Sequence, residues 1–185
     1  QLGTKVEPTA DITLSSAAQE RQYKKVTVLL NKPLGYVSTQ PEKGYPEARS
    51  LITLKNYSGN HLSDRFNHSL RNTLAVAGRL DINSKGLLVL TNNGIIAKQI
   101  IGEGTNLEKE YIVRVNRNLT HSEISKIQKG MKLDGKILKR VGVQMLQNHL
   151  YRFVLREGKK RQIRRMSEKV NVKVEVIKRV RIGNI

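Results

Sequence analysis

The 185-residue chain contains no cysteine and no tryptophan, only 4% aromatic residues, and 15 acidic residues against 34 Lys and Arg. Each scarcity excludes something. Without cysteine there can be no disulfide, no thiolate-bound zinc and no thiol nucleophile, which removes zinc-ribbon and zinc-deaminase chemistry. Few aromatics leave the core to Val, Ile and Leu, and 38% apolar residues suffice for one. No stretch approaches 18 uncharged apolar residues, so a transmembrane helix is excluded. There is no Walker motif, dinucleotide fingerprint or metal-ligand cluster, and no small-molecule cofactor or metal is expected. No signal-peptide pattern, internal repeat or low-complexity tract is visible.

The length suits one mid-sized domain with a short appendage. A high charge with few aromatics can mark disorder, but regularly spaced Val/Ile-rich runs argue against it here. The net charge of +19 points to a polyanionic partner, nucleic acid first, because each Lys or Arg on a phosphate releases a condensed counterion. The competing interpretation is a basic, inert surface. A membrane surface is disfavoured, since no basic helix also carries a wide apolar face.

Along the chain, Val6-Glu7-Pro8 and Asp11–Leu14 read as a turn feeding a short strand, and Ser15–Arg21 as a linker. A β-branched run at Val26–Leu30 opens the main body. Residues 40–73 lack apolar periodicity and read as a long loop with a short element near Leu51–Leu54. Leu87–Thr91 is a buried-type strand, followed by helical spacing at Ile95, Ile96, Gln99 and Ile100. Tyr111–Val115 is the next strand. Thr120-His121-Ser122-Glu123 has capping-box spacing and opens a helix burying Ile124 and Ile127 before Gly130 stops it. Strands are expected around Ile137–Met145 and Leu150–Leu155, a basic helix over Lys160–Val170, and a last strand over Val172–Val180. The order lacks regular βαβ alternation, which favours an α+β fold with a mixed, largely antiparallel sheet and a few flanking helices.

Two blocks could carry chemistry. Between Arg156 and Arg181 there are 11 basic and 3 acidic residues. In the helix there, Ile163, Met166 and Val170 share one face, with Arg161, Arg164, Arg165 and Lys169 around the rest and Lys159 and Lys160 ahead of it. Such a helix suits a phosphate backbone gripped by Arg forks; a solvated charged face is the alternative, weakened by the shortage of acidic partners. The second block, Gly78-Arg79-Leu80-Asp81-Ile82-Asn83-Ser84-Lys85-Gly86, puts an acid in a Gly-bounded turn at the mouth of a buried strand, a position that faces clefts. Asp81 and Ser84 could equally stabilise the turn itself.

The run Gly78-Arg79-Leu80-Asp81-x-x-Ser84-x-Gly86-Leu87-Leu88-x-Leu90-Thr91-Asn92-x-Gly94 resembles the signature of RNA pseudouridine synthases of the ribosomal RsuA/RluB type. Leu30-Asn31-Lys32-Pro33-x-Gly35 with Val37-Ser38-Thr39 is similar to that family's first motif. Lys109-Glu110-Tyr111 is similar to its tyrosine motif, and Arg161–Met166 to its C-terminal arginine motif. These four motifs, in order, cover residues 26–182. Gly3–Leu14 additionally resembles the last strand of the small RNA-binding module that precedes this catalytic domain.

The resemblance implies a pseudouridine synthase catalytic domain over 23–185, with 1–22 as the remnant of the N-terminal module and its linker. It implies Asp81 as the catalytic aspartate and Tyr111 as the ring against the target uracil. Arg164 would pair with Asp81, holding it ionised, with Lys32 and Arg79 as further support. Lys159, Lys160, Arg161 and Arg165 would bind RNA. Each has a bland counterpart: Tyr111 as core, Lys32 as a solvated strand-end lysine, Arg164 as one more phosphate grip. The implied reaction breaks the glycosidic nitrogen bond of a flipped-out uridine and rejoins the ring through carbon 5, without redox change or added group. A carboxylate would either attack the anomeric carbon or remove the 2′ proton; the sequence leaves both open. Ribosomal RNA is the implied substrate, with tRNA or a non-catalytic RNA-binding role on the same fold as alternatives. A cytoplasmic monomer is expected, or an organellar one after removal of a transit peptide. Compared with the family, the segment Thr39–Gly78 is long, and the chain is expected to stop at Ile185 in mid-strand.

Overall fold

The computed structural model describes residues 5, 7–11, 13–16, 18–19, 25–40, 44–59, 68–102 and 104–185. Its main sheet has seven strands: β1 (Thr27–Lys32), β2 (Ala75–Ala77), β3 (Lys85–Thr91), β4 (Lys109–Val115), β7 (Gly142–Gln147), β8 (Leu150–Leu155) and β9 (Val174–Ile182). Their order is β1-β3-β9-β4-β8-β7, with β2 also paired to β3. Only β3 and β9 run parallel; the other pairs are antiparallel, as the sequence order suggests. A small hairpin, β5 (Lys132–Leu133) and β6 (Lys136–Ile137), stands apart.

The apolar run of β3 is explained by its place in the sheet. β1 pairs along one edge, while β2 and β9 share the other. Leu88 and Leu90 point into one core with Leu74, Leu80 and Ile52, and Val89 points the opposite way into a second with Ala77, Ile100 and Ile182. With both faces covered, the strand has no solvent side to require a polar alternation. A third and largest cluster lies under β4, β8 and β9, where Tyr151, Phe153, Val113 and Met166 are fully buried.

Helix α1 spans His68–Thr73, α2 Gly94–Ile101, α3 His121–Gln128 and α4 Gln162–Glu168. Asn93 caps α2 by accepting from the Ile95 amide at 3.1 Å. The capping box of α3 forms as spaced, with Thr120 and Glu123 each satisfying the other's backbone. Arg117 grips the Glu123 carboxylate with both terminal guanidinium nitrogens at 3.0 and 2.8 Å, and these bonds hold its pKa down to about 2. Helix α4, shorter than the expected Lys160–Val170, buries Ile163 and Met166; Val170 is buried in the turn that follows it. The helix also buries Gln162, Arg164 and Ser167, so it is a core helix with a narrow basic edge.

The structure departs from the sequence reading in four places. Asp11, Thr13 and Leu14 belong to no strand, and Ile12 lies outside the described residues. Ser15 opens a helical turn, accepting from the Ala18 and Gln19 amides at 2.9 Å, where a linker was expected. The long loop contains two 3-10 turns, Ala48–Leu51 and Leu54–Asn56, and helix α1; residues 41–43 and 60–67 of it lie outside the described residues. Strand β9 ends at Ile182 and turns at Gly183, φ 58°, with reciprocal hydrogen bonds of 3.0 and 3.1 Å between Ile182 and Ile185. The chain therefore closes a tight turn there and does not stop mid-strand. No described helix is long and apolar enough to cross a membrane.

Candidate active site

The segment Gly78–Ser84 leaves β2, turns across the end of the sheet and enters β3. It closes on itself through the Ser84 amide, which donates to the Asp81 carbonyl at 3.0 Å. Every other residue around Asp81 is tied to a distant part of the chain. The Leu80 amide donates to the Ser38 hydroxyl at 2.9 Å, and that hydroxyl donates back to the Leu80 carbonyl at 2.6 Å. The Gly35 amide donates to the Ile82 carbonyl at 3.1 Å. Arg164 donates to the Asn83 carbonyl at 2.7 Å. Upstream, Arg179 donates to the carbonyls of Gly78 at 2.8 Å and Arg79 at 3.3 Å. The backbone is thus fixed on both sides of Asp81, while among the described residues its carboxylate has no hydrogen-bond partner.

Two cations stand behind that carboxylate. Lys32 ends β1 with no exposed surface, its ammonium donating to the Pro33 and Tyr36 carbonyls at 2.9 Å each. It is not the solvated strand-end lysine that competed with a supporting role. Burial pushes it down to about 8, against the charge of Asp81, which draws it up. Arg164 is 9% exposed and spans two carbonyls, Asn83 and Val174, the latter at 2.8 Å. Burial lowers its pKa, the neighbouring Arg161 adds to that, and Asp81 and Glu168 oppose it. Arg164 therefore meets Asp81 through space, with its two hydrogen bonds divided between the loop backbone at Asn83 and the start of β9 at Val174.

Asp81, Arg79 and Tyr111 line one open cleft of about 980 Å³ together with Lys159, Lys160 and Arg161. Tyr111 is half-buried on β4, where it packs against two of the three cores. Its ring is thus core on one side and cleft wall on the other. Arg79, Lys159, Lys160 and Arg161 are exposed around the cleft. Arg161 adopts a left-handed backbone, φ 52° and ψ 34°, at the start of α4, a conformation uncommon outside glycine and found preferentially at functional turns. The preceding loop is held by Gln162, whose side chain accepts from the Lys159 amide at 2.9 Å and donates to Glu157 at 3.0 Å. Arg165 stands apart from this group: it makes a two-pronged ion pair with Asp134 of the β5–β6 hairpin, at 2.9 and 2.5 Å.

Sequence reasoning singled out neither Ser38 nor Arg179 for a role, although both are buried and both hold the loop. For Arg179 a signal existed. It shares the parity of Ile177 along β9, so strand alternation puts both on the same face while Lys178 and Val180 face out. Among the described residues, no group of three His, Cys, Asp or Glu side chains could hold a metal ion.

Residues 26–169 match the family model described as RNA pseudouridylate synthase. The chain is 36% identical over 160 residues to the dual-specificity RNA pseudouridine synthase RluF of Escherichia coli, covering 86% of this chain and 50% of that one. It is 34% identical over 163 residues to an uncharacterized RNA pseudouridine synthase of Aquifex aeolicus, covering 88% and 63%. It is 31% identical over 163 residues to the ribosomal large subunit pseudouridine synthase B of Pseudomonas aeruginosa, covering 85% and 39%. The chain thus spans less than two thirds of the length of each of these relatives. Among solved structures, a pseudouridylate synthase superposes with a TM-score of 0.74 at 25% identity, over 87% of this chain and 64% of that one. A protein of an archaeal box H/ACA ribonucleoprotein shares the fold alone, with a TM-score of 0.53 at 14% identity. Matched over most of its length, the chain belongs to the RNA pseudouridylate synthase family.

Proposed function

We propose that this chain isomerises a uridine to pseudouridine in ribosomal RNA, with Asp81 as the catalytic carboxylate. One observation carries the reading: a carboxylate without a hydrogen-bond partner among the described residues, on a backbone tethered from four directions, opens into a basic-rimmed cleft beside a tyrosine ring. A pure binding surface has no use for a carboxylate aimed where phosphates must approach. The names of the relatives, one specifying the large ribosomal subunit, support RNA of the ribosome as the substrate.

The residues divide the work by position. Lys159, Lys160 and Arg161 at the rim hold phosphates, which offsets the few kcal/mol needed to extrude a base from its stack. Tyr111 offers the ring on which the extruded uracil stacks. Asp81 acts at the sugar, by attack on C1′ or removal of the 2′ proton. In either case the C1′–N1 bond breaks, the C1′–C5 bond forms, the hydrogen leaves C5 and N1 gains one, so no atom is added or lost overall. Arg164 and Lys32 place two positive charges behind the carboxylate. The enzyme on this reading works as a cytoplasmic monomer, with residues 23–185 as its catalytic domain and no small-molecule cofactor.

The test is carbodiimide-based pseudouridine mapping of ribosomal and transfer RNA from cells lacking the gene, complemented with wild type or Asp81→Asn. The expected result is one ribosomal RNA site lost and restored only by wild type. A lost tRNA site would keep the chemistry and change the substrate. No change at any site, in cells where no second enzyme covers the position, would overturn the enzymatic reading.

A further inference from the structure

Arg179 is 1% exposed, and among the described residues no carboxylate lies within ion-pair distance of it. Burying a guanidinium without an acidic partner is costly, and structures seldom retain one unless its donors are fully used. Here all three donor nitrogens are used, each on a backbone carbonyl. Nε donates to the Leu87 carbonyl at 2.8 Å, Nη2 to Gly78 at 2.8 Å and Nη1 to Arg79 at 3.3 Å. Tyr111 and Arg179 stand directly opposite each other in the β4–β9 register, and both line the cleft. The backbone of Arg179 is pinned in turn. It pairs with Gly86 in the parallel β3–β9 register, where a Cβ on Gly86 would come within 2.2 Å of the Arg179 carbonyl oxygen.

We infer that Arg179 is a positioning residue that sets the Asp81 loop and the Tyr111 ring relative to one another. The inference rests on the reading of Asp81 and Tyr111 as site residues and adds the part that joins them. Asp81 lies on a loop between β2 and β3 and Tyr111 on β4, so nothing local fixes their separation. One planar group with donors in fixed directions holds the loop from the strand position directly opposite Tyr111. A fold needing only stability at this point would be served by an apolar side chain of similar volume. A rigid fork that holds the Asp81 loop from the position facing Tyr111 is what a site requires when its geometry must hold to within about half an ångström.

The experiment uses the full-length protein with Arg179→Lys, which keeps the charge and loses the fork, and Arg179→Met, which keeps approximate volume. Hydrogen exchange is followed over Gly78–Ser84 and over β8 as an internal control. Turnover is followed as hydrogen released from uracil C5 of an unmodified ribosomal RNA transcript. In Arg179→Lys, exchange over Gly78–Ser84 should rise at least about tenfold with β8 unchanged. kcat should fall about 10–100-fold with KM within about twofold, and the loss should be less than additive with that of Tyr111→Phe. Arg179→Met should behave alike or worse. Unchanged exchange over the loop, or a uniform rise that includes β8, would overturn the inference, as would full kcat in Arg179→Lys. If wild type itself releases no C5 hydrogen, the enzymatic reading fails, and the exchange result still decides the role of Arg179.

Discussion

The hydroxyl of Ser38 and the backbone of Leu80, 42 positions apart, hydrogen-bond each other twice: the hydroxyl donates to the Leu80 carbonyl and accepts from its amide. Both groups are buried, so neither Leu80 bond can be replaced by bulk water. Ser38→Ala should therefore destabilise the protein by about 2–4 kcal/mol, since each unsatisfied buried backbone group costs about 1–3 kcal/mol. Activity should fall more than RNA affinity, because the lost bonds hold the residue beside Asp81. Denaturant unfolding and single-turnover rates check the two parts.

Lys32 gives a pH dependence. Its folded-state pKa, about 8, lies below the ordinary 10.5. Between those values the unfolded chain holds a proton that the folded chain has released, so stability rises with pH through this window. Below pH 8 the folded protein carries the full cost of the buried charge. Relative to Lys32→Met, wild type should therefore gain about 1–3 kcal/mol as pH moves from 8 to 10.5. Parallel unfolding curves for the two proteins across the window would refute it.

Salt dependence should separate the cations of α4 and its approach. Lys159, Lys160 and Arg161 are exposed on the cleft, so each replaced by Ala should flatten the log Kd against log salt slope by about 0.7–0.9. Arg165 is already neutralised by Asp134, and Arg165→Ala should leave the slope nearly unchanged. A full unit lost at Arg165 would mean that RNA displaces Asp134.

Gly86→Ala should be among the most damaging small substitutions. Gly86 holds φ 102°, and the added methyl would meet the backbone of Arg179, which cannot swing aside. A loss of more than about 2 kcal/mol is expected, with the β3–β9 pairing the first to open in hydrogen exchange.

Much of this molecule is legible in short stretches of sequence. The apolar run Leu87–Leu90, the Thr120–Glu123 box and the Ile163 and Met166 pair each specify their element within a few residues, because helix and strand periodicity and capping are local. An acid in a Gly-bounded turn at a strand mouth left Asp81 open between a cleft role and turn stabilisation, and it was the resemblance to a family motif that singled it out. Strand-end position left the fate of Lys32 open, and basic composition offered Arg165 to RNA, because burial and pairing depend on what the rest of the chain brings near. The β5–β6 hairpin delivers Asp134 to Arg165 from 31 residues away, and β9 delivers Arg179 to Gly78 from 101 residues away. Local sequence therefore determined the elements and the turn that carries Asp81. Only the tertiary structure decided which cations are buried near Asp81, which are paired and which stay exposed around the cleft, because a buried charge is satisfied by groups that only the folded chain brings within reach.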